Sequence, residues 1–266
     1  MESLRQRVEG SPFFRVRGEG ACFEMVMPRA EAVDIASGDE TASAKPAIKT
    51  ILLVQEERAV RTLKLNGFIL NSHTYGEYLD DPKYWPVLEA AEALEACIYI
   101  HPRAASDGLK GPLQDYGMDS AMWGYGVEVG THVVRMMAAG VFDHFPKLKI
   151  CIGHMGEAIP FWIWRITFMN SRAQLIDRAP KTQLTMEEYF RRNFVLTTSG
   201  VEDHLALEYS IRKMGIDQVM WAIDYPYQPT KPAVDFMDSA PVSESDRAKL
   251  YHLNAERVFH IAPLAA

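Results

Sequence analysis

Strand-like and helix-like segments alternate along most of the chain, and this alternation limits the folds that it can adopt. Five short apolar segments have the composition of buried strands: 67–71, 97–101, 150–152, 193–198 and 218–223. Segments with helical periodicity lie between and around them, at 51–65, 85–95, 126–142, about 157–176, 202–214 and 243–259. Strands that alternate with helices form parallel sheets with crossover helices. The sequence therefore predicts an α/β fold with a parallel sheet.

The length of the chain favours a TIM-type (β/α) barrel that is incomplete or distorted in its N-terminal units. A closed barrel has eight strand–helix units in about 250 residues, whereas the 266 residues of this chain show five units, all after residue 50. We interpret residues 1–50 as an irregular N-terminal segment with one strand-like stretch at 23–27, and residues 51–266 as the barrel domain. Either the first units are abbreviated or the barrel is open.

Charge and composition exclude several classes of partner. The net charge of −7 argues against nucleic acid or an anionic membrane as the main partner. No apolar run approaches the ~20 residues of a membrane-spanning helix, and the N-terminus lacks the apolar stretch of a secretory signal. The cysteines are widely spaced, and we expect Cys97 and Cys151 to be buried free thiols in a reducing compartment. These features predict a cytoplasmic protein.

Three of the predicted strands end in side chains that can bind a metal ion: His101, His154 and Asp224. The carboxyl ends of parallel strands meet at one edge of the sheet, and imidazole and carboxylate groups are ligands for Zn²⁺ or Mn²⁺. One such histidine is more often a satisfied interior residue, and one such aspartate is usually a helix N-cap. Three of them on separate strands are better explained by a site, so we predict that all three are metal ligands.

Other polar residues near these strand ends are candidate site residues, each with a structural alternative. Glu157 either orients the preceding histidine and accepts a proton, or pairs with the dipole of the following helix. Arg165 is either a surface arginine or a bidentate donor to a substrate carboxylate. Asn71 and His73 either line the same edge or make loop hydrogen bonds. Tyr227 follows the last strand, where it can contact an aromatic ligand.

Several motifs resemble those of one enzyme family. Tyr99-Ile-His-Pro102, Gly153-His-Met-Gly-Glu157, Thr198-Ser-Gly200 and Asp224-Tyr-Pro226 resemble the amidohydrolase-related (amidohydrolase-2) metal-dependent decarboxylases. That family includes the 2-amino-3-carboxymuconate semialdehyde, γ-resorcylate and 2,3-dihydroxybenzoate decarboxylases. Leu70-Asn-Ser-His-Thr74 and Trp123-Gly-Tyr-Gly-Val-Glu-Val-Gly130 are most similar to motifs of the 5-carboxyvanillate decarboxylases. The resemblance covers roughly residues 56–260.

The resemblance implies a distorted TIM barrel with a divalent metal ion, Mn²⁺ or Zn²⁺, at its C-terminal face. It places His101 and Asp224 at metal-ligand positions, His154 at or near the metal, and Arg165 where a substrate carboxylate binds. It also implies a homo-oligomer that acts on a small aromatic acid. We therefore expect Asp224, His154 and Glu157 to be the catalytic residues.

The implied reaction is the metal-dependent, non-oxidative decarboxylation of a hydroxylated aromatic acid, such as a carboxyvanillate or a dihydroxybenzoate. Asp224 would protonate the ring carbon that bears the carboxylate, with His154 assisting. The same residues would also suit a metal-dependent hydrolase of a lactone or a similar ring. Members of the family carry an acidic metal ligand on a first strand, for which Glu19 and Glu24 are weak counterparts here. A catalytically impaired, truncated member is therefore a third alternative.

Overall fold

The parallel sheet predicted from the sequence is present. The structure is a computed structural model that describes residues 58–262 and the backbone of two further strands, 14–16 and 23–25. The strands in these residues are β1 Phe14–Val16, β2 Phe23–Met25, β3 Gly67–Asn71, β4 Cys97–His101, β5 Ile150–Ile152, β6 Phe194–Thr197 and β7 Val219–Met220. They pair in chain order, with β1 antiparallel to β2 and every later pair parallel. All five predicted strands are confirmed, and β2 lies within the strand-like stretch at 23–27.

Helices connect the parallel strands. The α-helices of five or more described residues are α1 Trp85–Ala93, α2 Gly124–Ala138, α3 Ile159–Leu175, α4 Met186–Asn193, α5 His204–Met214, α6 Thr230–Asp238, α7 Glu244–Ala248 and α8 Asn254–Phe259. A π-helical turn, Lys249–Leu253, joins α7 to α8, and Arg58–Thr62 is the described part of the helix predicted at 51–65. The order of strands and helices confirms the predicted α/β class.

Some elements differ from the prediction. Helices α4 and α6 were not predicted, although α4 begins with a capping box in which Thr185 Oγ1 accepts the N–H of Glu188. The connection from β4 to α2 contains three short helical turns, Asp107–Lys110, Gly111–Leu113 and Asp115–Gly117, which the sequence pattern does not predict. The last predicted strand, 218–223, pairs only over Val219–Met220, because the N–H of Trp221 turns away to Leu250 O at 2.8 Å.

Both faces of the sheet are buried. One face packs on the helices through fully buried side chains, among them Ile98, Ile100, Ile150, Ile152 and Leu196. The other face carries a smaller cluster, Cys97, Cys151, Val195 and Met220, against Val258 of α8. Cys97 and Cys151 are buried and free, as predicted, and burial raises the pKa of both thiols. Because side chains alternate along a strand, this second face also carries His101 at the end of β4 and Thr197 at the end of β6.

The N-terminal segment contributes to the same sheet. Glu24 of β2 lies opposite Ile69 of β3 in a parallel pair. The boundary predicted near residue 50, together with Glu19, falls outside the described residues, so the division into two segments stays a prediction. No helix in the part of the chain that the structure describes has the length and apolar character needed to cross a bilayer.

Candidate active site

The strands that precede the predicted site residues end at similar levels along the C-terminal edge of the sheet. Asn71 and His101 are direct partners at the ends of β3 and β4. The next two strands end in the same register, because Ile152 of β5 pairs with Leu196 of β6. The loops that follow these strands therefore begin side by side, as they do at the active-site face of a parallel barrel.

The turn after β5 has a rare backbone conformation. Residues 154–158 all have positive φ, namely His154 50°, Met155 54°, Gly156 82°, Glu157 52° and Ala158 61°. Left-handed backbone costs roughly 1–2 kcal/mol for each residue that carries a Cβ atom. Helix α3 begins only after this turn, at Ile159. The sequence predicts a helix that carries Glu157 near its start, whereas Glu157 lies in the left-handed turn two residues before α3 begins.

This turn places His154 between two carboxylates. The Nδ1–H of His154 donates to Glu157 Oε1 at 2.6 Å, and Nε2 lies 4.0 Å from Asp224 Oδ2. The Glu157 side chain is only 5% exposed, whereas those of His154 and Asp224 are 26% and 30% exposed. Burial lowers the pKa of His154, but the hydrogen bond and charge of Glu157 and the charge of Asp224 outweigh it and raise that pKa overall. Glu157 thus fixes the ring so that Nε2 faces Asp224.

The loop after β6 closes around this pair. Gly200 has a φ of +71°, and a Cβ atom there would lie 3.4 Å from His154 Cδ2 and 3.5 Å from Asp224 Oδ2. Thr198 Oγ1 donates to the carbonyl of Ala222 and accepts its N–H, both at 3.0 Å. That double contact holds the segment before Asp224 beside β6. A Cβ atom at position 200 would touch both side chains at ordinary contact distance, so a substitution there is opposed mainly by the positive φ.

A row of hydroxyl groups lies beneath His154. Ser199 Oγ accepts the N–H of His154 at 3.3 Å, Thr197 Oγ1 is 2.9 Å from Ser199 Oγ, and the Tyr99 hydroxyl is 3.1 Å from Thr197 Oγ1. Burial raises the pKa of Tyr99, so this hydroxyl keeps its proton. The sequence pattern alone indicates no role for these residues. Alternation along β4 and β6 could have placed Tyr99 and Thr197 on the interior face.

The donor atoms of the predicted metal ligands fit a divalent ion in part. Nδ1 of His101 donates to the carbonyl of Pro102 at 2.8 Å, and Nδ1 of His154 donates to Glu157. In the neutral form of each ring Nε2 therefore carries the lone pair, as in metal-binding histidines. Among the described residues, however, no three His, Cys, Asp or Glu side chains are grouped so that they could hold a metal ion. The structure brings Asp224 to His154 and does not bring His101 to them, so the ligand assignment stays a prediction.

The predicted substrate-binding residues have different surroundings. His73 is buried, and its ring binds backbone on both sides: Nδ1 accepts the N–H of Gly76 at 3.0 Å and Nε2 donates to Ala104 O at 3.1 Å. His73 therefore makes loop hydrogen bonds, which were the structural alternative to a position at the edge of the site. Tyr227 is 76% exposed in the loop after β7. Arg165 is exposed on α3, and their roles toward a substrate stay predictions.

Comparisons with known proteins agree with this architecture. A γ-resorcylate decarboxylase of Polaromonas sp. is 32% identical over 215 residues, which are 77% of this chain and 65% of the relative. The structure of a 5-carboxyvanillate decarboxylase from Sphingomonas paucimobilis matches with 53% identity and a TM-score of 0.78, over 79% of this chain and 63% of that chain. The corresponding enzyme from Novosphingobium aromaticivorans, solved with manganese and 4-hydroxy-3-methoxy-5-nitrobenzoic acid, matches with 36% identity and a TM-score of 0.77, over 81% and 62%. The chain thus spans slightly less than two thirds of these relatives.

A family model described as amidohydrolase (Amidohydro_2) matches residues 49–261. The match contains β3 to β7 and every candidate site residue from Asn71 to Tyr227. It confirms the resemblance inferred from the motifs, and the solved relatives confirm the barrel-type fold. The chain belongs to the amidohydrolase family.

Proposed function

We propose that this chain catalyses the metal-dependent, non-oxidative decarboxylation of a hydroxylated aromatic acid of the carboxyvanillate or dihydroxybenzoate type. The observation that carries the proposal is the pair formed by Asp224 and His154, with the buried Glu157 fixing the imidazole. The pair lies at the C-terminal edge of a parallel sheet, where barrel enzymes hold their substrates. The relatives named as decarboxylases of such acids support the substrate class.

His101, His154 and Asp224 are the residues that would hold the metal ion, Mn²⁺ or Zn²⁺. When bound, the ion would fix and neutralise the phenolic oxygen and the neighbouring carboxylate of the substrate. Manganese in the Novosphingobium relative supports this choice of ion. Asn71, Arg165 and Tyr227 are the proposed substrate-binding residues.

The chain's own groups would move the proton. Asp224 donates a proton to the ring carbon that bears the carboxylate, which forms a C–H bond and interrupts the aromatic system. The C–C bond to the carboxylate then breaks, its electron pair returns to the ring, and CO₂ departs. Asp224 afterwards regains a proton from water, and His154 Nε2, 4.0 Å away, would relay that proton when it is not bound to the metal ion.

Replacing Asp224 with asparagine tests this role. Asp224→Asn keeps the size of the side chain but has no acidic proton, so CO₂ release should fall about 100-fold or more. Binding of a nitro analogue of the substrate, measured by calorimetry, should fall far less. Asp235→Asn, which removes a surface carboxylate paired with Lys231, is the control and should leave both quantities unchanged. Undiminished turnover in Asp224→Asn would rule out the assignment, and opening of a lactone without CO₂ release would favour the hydrolase.

We also propose that the chain associates with a second copy of itself through the outer surface of α3. This surface exposes 42–70% of each of five apolar side chains: Phe161, Trp162, Trp164, Phe168 and Met169. Trp164 stacks on Phe168 with ring centres 5.5 Å apart, and the Arg172 guanidinium lies 5.3 Å from the same ring. Contiguous aromatic patches with arginine are typical of protein interfaces. A two-fold symmetric contact would cover the patch on both copies.

A further inference from the structure

A second group of buried polar side chains lies behind the loops that follow β3 and β4. Glu128 of α2 has no exposed surface. Its Oε1 accepts a hydrogen bond from the Ser72 hydroxyl at 3.2 Å. Its Oε2 accepts two more, from the Tyr78 hydroxyl at 3.3 Å and from the backbone N–H of Ser106 at 3.0 Å. A buried carboxylate on this helix therefore binds one loop through Ser72 and Tyr78 and the other through Ser106.

His132 lies one helical turn further along α2, and its two hydrogen bonds determine which groups of this network donate and which accept. The N–H of Leu79 donates to its Nε2 at 3.1 Å, so Nε2 carries no proton. Nδ1 therefore carries the ring proton and donates a hydrogen bond to Ser72 Oγ at 3.2 Å. The Ser72 hydroxyl in turn donates a hydrogen bond to Glu128. The chain of donors starts at a backbone amide and must end at an acceptor.

Both side-chain oxygens of residue 128 face hydrogen-bond donors, so both positions require an atom that accepts. A backbone N–H, which can only donate, faces Oε2, and the directed chain through Ser72 ends at Oε1. An amide would place its NH₂ group against one of these donors in either orientation. A buried donor that faces another donor is costly because neither can reach water.

The two loops bound by Glu128 are the continuations of the strands that end in Asn71 and His101. Those two residues are direct partners in the sheet. A second pair of contacts joins the same loops: His73 Nε2 donates to Ala104 O at 3.1 Å, and the Arg103 guanidinium donates to His73 O at 3.1 Å. The relative position of the two loops thus depends on side chains that lie behind the edge.

We propose that Glu128 is a positioning residue, whose buried carboxylate fixes the loops after β3 and β4 and with them the positions of Asn71 and His101. It acts through Ser72, Tyr78 and Ser106 and does not touch the substrate. The effect on turnover rests on the proposed function, whereas the effect on the loops does not. Small displacements of groups that orient a ligand typically cost about 10–100-fold in metal affinity or rate.

The test compares Glu128→Gln with two other variants of the full chain. Glu128→Asp keeps a carboxylate that only accepts, so it should restore part of what glutamine loses. Asn254→Ala is the structural control: Asn254 is buried, and its amide donates to Ile216 O and Val219 O at 2.8 Å, at the start of β7 and away from the edge. This control loses buried hydrogen bonds of a similar kind without changing either loop.

The first measurement is amide hydrogen exchange, which needs no activity. Glu128→Gln should speed exchange about tenfold or more in segments 72–80 and 102–106, and Asn254→Ala should leave both segments as they are in the wild type. The second measurement is the affinity for Mn²⁺ alone, and the third is kcat/KM for CO₂ release. Both should fall about 10–100-fold in Glu128→Gln, stay near wild type in Asn254→Ala, and recover in part in Glu128→Asp.

Two results would overturn the proposal. Wild-type exchange rates in both segments of Glu128→Gln would show that the carboxylate does not hold the loops. Faster exchange with Mn²⁺ affinity and kcat/KM no lower than in Asn254→Ala would show that the network is structural only. A wild-type chain that binds Mn²⁺ but releases no CO₂ would refute the proposed function, and hydrogen exchange and Mn²⁺ affinity would still decide the role of Glu128.

Discussion

Replacing Glu157 with glutamine removes one charge from the site and keeps the size of the side chain. Glu157 Oε1 is 2.6 Å from His154 Nδ1, and its side chain is only 5% exposed. A hydrogen bond to a charged group contributes about 1.5–3 kcal/mol, against about 0.5–1.5 kcal/mol for a neutral one. We therefore expect Glu157→Gln to lower the free energy of unfolding by about 1 kcal/mol.

The effect on activity should be larger than the effect on stability. A glutamine amide can turn its NH₂ group toward Nδ1, and the ring proton then moves to Nε2. That tautomer presents a donor to Asp224, where the wild-type ring presents a lone pair. Because the wrong tautomer removes the lone pair of Nε2 that would bind the metal, kcat/KM should fall about 10–100-fold. The ¹⁵N shifts of the imidazole report directly which nitrogen carries the proton.

The chain offers a matched control in a second histidine–glutamate pair. His252 Nδ1 donates to Glu256 Oε1 at 2.8 Å on the surface of the C-terminal helices. Glu256→Gln makes the same chemical change there and should alter stability by less than about 0.5 kcal/mol and leave kcat/KM unchanged. If Glu157→Gln keeps kcat/KM within about threefold of Glu256→Gln and His154 keeps its proton on Nδ1, the carboxylate does not orient the ring.

Two further predictions concern stability and assembly. Burial lowers the pKa of His132 to about 3, so below about pH 6.5 the unfolded chain gains a proton there that the folded chain does not, and the unfolding free energy should fall by about 2 kcal/mol from pH 7 to pH 5 through this residue. Urea titrations of His132→Gln should show a shallower fall than the wild type, and equal slopes would contradict the assignment. Trp164→Glu should lower the mass measured by light scattering, whereas Tyr116→Glu, at a side chain that is 91% exposed elsewhere, should not. A wild-type monomer would refute the α3 interface.

The sheet and its polar edge could be predicted because both depend on local pattern. Short apolar runs bounded by glycine, proline or a charged residue mark β3 to β7. Parallel strands must end at one edge, which is why His154 and Asp224 could be expected near each other from residues that are 70 positions apart in the chain. The start of α4 is equally marked in the sequence by the capping box from Thr185 to Glu188.

The conformation of the turn after β5 could not be predicted from the residues within it. Met155, Glu157 and Ala158 have no local preference for left-handed backbone, whereas Gly156 adopts it freely and His154 more often than most residues. The turn is held from outside, because Ser199 of the next loop accepts the N–H of His154. Strain of this kind persists where tertiary contacts over-determine the backbone, which is frequent at functional sites.

The role of His73 also depended on tertiary contacts. Its position after β3 is the same whether the ring faces a ligand or the backbone of the neighbouring loop. Only the position of Ala104 in that loop decides between them. Glu128 and His132 illustrate the same difficulty: they lie on the buried side of α2 with Val129 and Val133, and the loop groups that satisfy them come from elsewhere in the chain.

Helix α2 contacts the loops after β3 and β4 as well as the turn after β5. Its Glu128 binds the loops that follow Asn71 and His101. Two residues earlier on the same helix, Gly126 lies against the turn after β5: a Cβ atom at Gly126 would be 3.0 Å from Glu157 Oε2. The first turns of α2 therefore support both buried carboxylates that position histidine-bearing segments, one by carrying Glu128 and the other by leaving room for Glu157. A shift of this helix would move both sides of the site together, so the site depends on how α2 packs as well as on the strand ends.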